Sequence, residues 1–253
     1  MEILTQFLFR LSFGLALAMA CTPSHLVTSG FYRVHLLVLM GMHVLTTLVA
    51  LYLPDFNLWP PLLSVLLCYF GSVAWLVQWP KAGMWALYLV VLSTLWGALL
   101  AWPPVSPPWS LVRSGIAVGD VVTSGLVLGI TMAAMLLGHW YLNTPSMELI
   151  PLKRLVVLMI SVLTIRAVFC SCGSLVWYME ISPQSVGNPL GYLLVLRWLF
   201  GLVGAMVLAF MTWATLKVPN TQSATGILYV AVMATFLGEL ISLLLSLDAP
   251  YPV

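Results

Sequence analysis

Residues 115–142 read GIAVGDVVTSGLVLGITMAAMLLGHWYL. The stretch holds one carboxylate, Asp120, and one imidazole, His139. It is longer than the roughly 20 residues an α-helix needs to cross the hydrocarbon core of a bilayer. A membrane β-strand would alternate apolar and polar residues over about ten positions. This run does not alternate, and a helix satisfies its own backbone hydrogen bonds in lipid. The stretch therefore reads as a membrane-spanning helix and sets the fold class: an all-α polytopic transmembrane helical bundle.

Seven further runs of this kind follow when the reading moves outward. The eight predicted spans are 5–27, 31–53, 58–79, 82–102, 115–142, 153–179, 190–216 and 223–247. Breakers separate them: Pro54-Asp55-Phe56-Asn57, Trp79-Pro80-Lys81, Asn143-Thr144-Pro145, Ser182-Pro183 and Asn188-Pro189. Pro103-Pro104 and Pro107-Pro108 predict a stiff, extended loop after the fourth span, because proline fixes φ and lacks a backbone N–H. No soluble domain and no convincing internal sequence repeat is apparent. Residues 1–253 read as a single integral membrane domain, and an inverted four-plus-four architecture is not supported.

Composition agrees. The chain is 62% hydrophobic and 6% charged, against about 25% charged in soluble domains. A net charge of +2 with no basic, aromatic-interleaved patch argues against nucleic-acid binding. Cys21, Cys68, Cys170 and Cys172 lie in or beside apolar runs, so no disulfide framework is expected. The N-terminal MEILTQ lacks a basic region, and the first span is expected to be a retained helix.

Orientation follows from the loops. Those after spans one, three, five and seven carry Arg33, Lys81, Lys153, Arg154 and Lys217; the opposite side has Arg113 with Glu2, Asp55, Glu180 and Asp248. Basic residues favour the cytoplasm, which puts both termini on the non-cytoplasmic side of a cell inner (cytoplasmic) membrane. Trp140 and Tyr141, near the cytoplasmic end of the fifth span, suit the headgroup level.

An ionisable residue in a membrane helix costs a few kcal/mol on insertion scales, so each needs a partner or a use. Arg10, Asp120, Arg166, Arg197 and Glu239 qualify. Rise per residue puts Arg166 near the middle and the others in the outer half. Two readings compete. One is structural ion pairing between helices. The other is a polar pocket for an anionic or quinone-type headgroup, with Glu239 or Asp120 handling protons. His35 and His139 sit at one depth near the cytoplasmic side, as ligands on opposite faces of a b-type haem would; hydrogen bonding to headgroups, loops or water is the plainer alternative. His43, further along its helix, is expected to bond to a neighbouring helix.

Gly115-x-x-x-Gly119 and Gly125-x-x-x-Gly129-x-x-x-Ala133 predict close backbone approach by the fifth span. Cys170 and Cys172 read as small packing residues, and Thr221 or Ser223 as the cap of the last helix. No phosphate loop, nucleophile elbow or zinc-protease motif is present.

Eight spans with both ends outside resembles the topology of the membrane anchor subunits of molybdopterin oxidoreductases, in span count and orientation rather than in motif. Three functions follow as expectations. First is a membrane subunit of a respiratory- or photosynthetic-type electron-transfer complex, binding a quinol or haem b. Second is a structural or assembly subunit without a ligand, and third a small-solute or proton transporter. The partners expected are the lipid bilayer and other membrane or peripheral subunits. The candidate binding residues are His35, His139, Arg166, Arg197, Asp120 and Glu239.

Overall fold

The computed structural model describes residues 1–54, 56–101, 111–144, 147–180, 188–218 and 220–247, without the side chains of 111–113, 176–180 and 188–190. The proline-rich loop after the fourth span, Asp55, Asp248, the Ser182-Pro183 break and the side chains of Arg113 and Glu180 lie outside the described residues. All regular structure among them is helical, and eight helical stretches are long and apolar enough to cross a membrane.

The spans are α1 (Glu2–Cys21), α2 (Ser29–Ala50), α3 (Trp59–Leu76), α4 (Pro80–Leu100), α5 (Leu111–Asn143) and α6 (Ile150–Glu180). The seventh is a composite of α7 (Asn188–Leu196), a π-helical segment (Arg197–Gly204) and α8 (Ala205–Thr215), and the last is α9 (Thr221–Leu245). Most edges fall within a few residues of expectation. The largest difference is the end of α1 at Cys21, earlier than predicted; Pro23 follows at once, and the residue before a proline is pushed out of the α region. α9 is capped by Asn220, whose side chain accepts from the Ser223 N–H at 3.0 Å. The cap is thus neither Thr221 nor Ser223. Asn220→Ala is expected to cost about 1 kcal/mol, read as a lower unfolding midpoint.

The spans form two rings of four. In the first, α1 packs on α2 and α4, α2 on α3, and α3 on α4. In the second, α5 packs on α6 and α9, α6 on α8, and α8 with the π segment on α9. Neighbour order is the same in both. The rings join mainly through α1 against α5, the two most buried spans. As first and fifth spans, α1 and α5 run in the same direction, so the halves are parallel rather than inverted. A faint trace survives in the chain: Thr22-Pro23-Ser24 follows α1, and Thr144-Pro145-Ser146 follows α5.

Glycine makes the join possible. A Cβ on Gly14 of α1 would collide with the backbone of Gly125, and one on Gly129 with the backbone of Gly14 and Leu15. Membrane helices are held by this kind of packing, since lipid supplies no hydrophobic drive between them. Gly115 differs from expectation: among the described residues nothing lies within 4 Å of its would-be Cβ. The second ring uses the same device at Gly201 of the π segment, which touches Gly238 of α9 backbone to backbone. Large apolar side chains of α2–α4 and of the seventh span, among them Leu48, Leu66, Trp85, Leu92, Val203 and Phe210, are exposed on the perimeter, as a lipid-facing surface requires.

Candidate functional site

The five intramembrane charges come together, whereas His35 and His139 have different neighbours. Four of the five have a polar companion three or four residues away on the same helix, hence on the same face. These pairs are Gln6 and Arg10 on α1, Asp120 and Thr123 on α5, Arg166 and Cys170 on α6, and Glu239 and Ser242 on α9. The companions complete the hydrogen bonding that the charges need once they leave water.

Arg166 is the hub. Its Nη1 donates to Asp120 Oδ1 at 2.6 Å and to Thr123 Oγ1 at 3.0 Å. Nε and Nη2 donate in parallel to Glu239 Oε1 and Oε2 at 3.1 and 2.8 Å, and Nη2 also reaches Ser242 Oγ at 3.4 Å. A guanidinium has five N–H donors, and every one here has an acceptor. The other oxygen of Asp120, Oδ2, accepts from Arg10 Nη1 at 2.8 Å. Arg10 Nε donates to Gln6 Oε1 at 3.3 Å, and Gln6 Nε2 to the Ala98 carbonyl of α4 at 2.9 Å. One connected chain therefore runs α4–α1–α5–α6–α9, from the first ring into the second. Arg10, Arg166 and Arg197 are fully or almost fully buried, as are Asp120 and Glu239.

Arg166 is expected nearer the middle of its span than its partners, and its long side chain reaches both Asp120 and Glu239.

Arg197 opens the π segment. Its Nη2 donates to Cys170 Sγ at 3.0 Å, so Cys170 belongs to the polar cluster and is more than a packing residue. On a regular helix the two cysteines of Cys170-Ser171-Cys172 point apart. That geometry holds, since Cys170 is buried and Cys172 exposed; the partner of Cys170 comes from another span.

His35 and His139 have separate surroundings. The His35 ring lies between Phe31 and Trp140, with Nδ1 2.6 Å from the Phe31 carbonyl. His139 is exposed and sits 3.3 Å from the Tyr229 hydroxyl. Trp140 donates to Thr28 Oγ1 at 2.9 Å, and Tyr141 donates to the Glu148 carbonyl. His43 departs from expectation. It is fully buried against Phe9, and neither ring nitrogen has a hydrogen-bond partner among the described residues. Among the described residues no three His, Cys, Asp or Glu side chains are grouped as a metal site.

No protein-family model matches this chain, and no curated protein and no solved structure matches it either.

Proposed function

We propose that this chain is a structural membrane subunit, working as part of a larger membrane complex. In this reading the chain Arg10–Asp120–Arg166–Glu239 clamps its two four-span halves together. One observation carries the proposal: all five donors of Arg166 are engaged by groups of the protein itself. Such a hub leaves Asp120 and Glu239 fixed by charge-assisted bonds rather than available to carry protons. Transporters built from parallel halves hold substrate near the midplane where the halves meet. Here that seam carries the Gly14–Gly125–Gly129 contact and the Arg10–Asp120 pair, which favours a fixed join over a moving one.

The basic residues Arg33, Lys81, Lys153, Arg154 and Lys217 all fall at one end of the bundle by span alternation. By the positive-inside rule we place that end in the cytoplasm, both termini outside, and the protein in the cell inner membrane.

Glu239→Gln tests the clamp. An amide cannot accept two charge-assisted bonds from Arg166, and breaking a buried ion pair costs about 3–5 kcal/mol. The expected result is less assembled protein on native gels, with any bound quinone per folded molecule unchanged. Normal assembly with lost quinone would overturn the proposal in favour of a second reading.

That reading is the quinol-binding subunit of an electron-transfer complex. The observation that favours it is Arg197, whose donors are not filled as those of Arg166 are. A reduced-minus-oxidised spectrum of wild type beside His139→Ala tests the haem variant of this reading. Given the separate surroundings of His35 and His139, no b-type band dependent on His139 is expected.

A further inference from the structure

Two arginines in one cluster are treated differently. Arg166 directs every donor at an acceptor, whereas Arg197, 1% exposed, has a single hydrogen-bond partner among the described residues, Cys170 Sγ. Its Nε and Nη1 meet no acceptor among the described residues. A thiol sulfur is a weak acceptor. Burying guanidinium N–H groups without partners costs their full desolvation free energy, so a side chain held this way calls for a further acceptor.

Charge points the same way. Arg197 is a buried cation with no carboxylate in hydrogen-bond contact among the described residues. Local backbone points there too. Arg197 is the first residue of the π-helical segment, and π turns occur often at functional sites. The Gly201–Gly238 contact holds this segment tightly on α9, the helix that carries Glu239.

We infer that Arg197 anchors a buried anion site, which takes a group of single negative charge through Nε and Nη1 beside Cys170. A single charge matches the one guanidinium it faces, and a second would be repelled by the nearby Glu239 carboxylate. Two sources offer this chemistry: a free halide, or the singly charged headgroup of a membrane amphiphile. The inference goes beyond the clamp and does not depend on it.

The test uses the full-length protein in lipid nanodiscs, with bromide as the halide probe. Sodium bromide is titrated against sodium gluconate at constant ionic strength, and the thermal midpoint is followed. In parallel, purified protein is extracted and its bound amphiphiles are quantified by mass spectrometry. If a halide fills the site, the midpoint rises saturably with bromide, sulfate does not substitute, and an anomalous bromide peak lies within hydrogen-bond distance of Arg197. If an amphiphile fills it, bromide has no effect, and wild type retains about one singly charged amphiphile per chain. Arg197→Met should abolish whichever signal is seen, at least tenfold, while the exposed-site control Lys81→Met keeps it. Should Arg197→Met fail to fold, density at Arg197 in the wild type decides. A bromide peak or headgroup there supports the site. Water alone, or signals unchanged in Arg197→Met, overturns it.

Discussion

Asp120→Ala is expected to be the most damaging single substitution in the chain, costing about 3–5 kcal/mol or more, the range for breaking a buried ion pair. The reason is its position between two cations. Asp120 accepts from Arg10 through one oxygen and from Arg166 through the other. Removing it strips both guanidiniums of a counter-ion at once, inside a bundle where water cannot replace it. Thermal or denaturant unfolding in mild detergent would read the loss, with expression level as a first indication. Asp120→Asn should be only slightly milder, because an amide keeps the shape and one acceptor but not the charge. A wild-type-like midpoint for either variant would mean that the ion pairs contribute nothing net.

Gly14→Val is expected to have the next largest effect. A side chain there meets the Gly125 backbone, and backbone cannot move aside as a rotamer can. Overpacking typically costs about 1–3 kcal/mol and occasionally more; a backbone-on-backbone contact belongs at the upper end. Because α1 and α5 join the rings, the damage should also disturb the Arg10–Asp120 geometry about one turn away. Gly41→Val is the matched control, since nothing lies within 4 Å of its would-be Cβ. It should stay within about 0.5 kcal/mol of wild type, as surface substitutions do. Equal effects at Gly14 and Gly41 would remove the close approach as the basis of the join.

The spans were readable because lipid allows one solution for a long apolar run: a helix that closes its own hydrogen bonds. Prolines and short polar breaks then placed the edges. The convergence of Arg10, Asp120, Arg166 and Glu239 was only half readable. Charge inside a span announces a need for partners, and depth narrowed the choice, but which helix neighbours which is a property of packing. One signal was available and unused: the polar companion three or four residues from four of the five charges, such as Thr123 beside Asp120 or Ser242 beside Glu239. A lone charge facing lipid has no use for such a neighbour. The matching of His35 with His139 was legible in depth alone. Equal depth on two helices says nothing about rotation, and the two rings face Trp140 and Tyr229 respectively. The parallel halves were hidden because membrane helices of almost any apolar sequence can occupy equivalent places. Only the Thr-Pro-Ser repeat at 22–24 and 144–146 preserves a hint of it in the chain.

The clamp is tested most directly by a double-mutant cycle across the seam: Arg10→Gln, Asp120→Asn and the two together, each measured for unfolding free energy in the same detergent. Residues in one salt-bridge network show coupling energies of about 0.5–3 kcal/mol, whereas independent sites add. The clamp predicts coupling toward the upper end of that range, with the double variant less destabilised than the two single losses combined. Strict additivity would contradict it, because the two halves would then be held by helix packing alone.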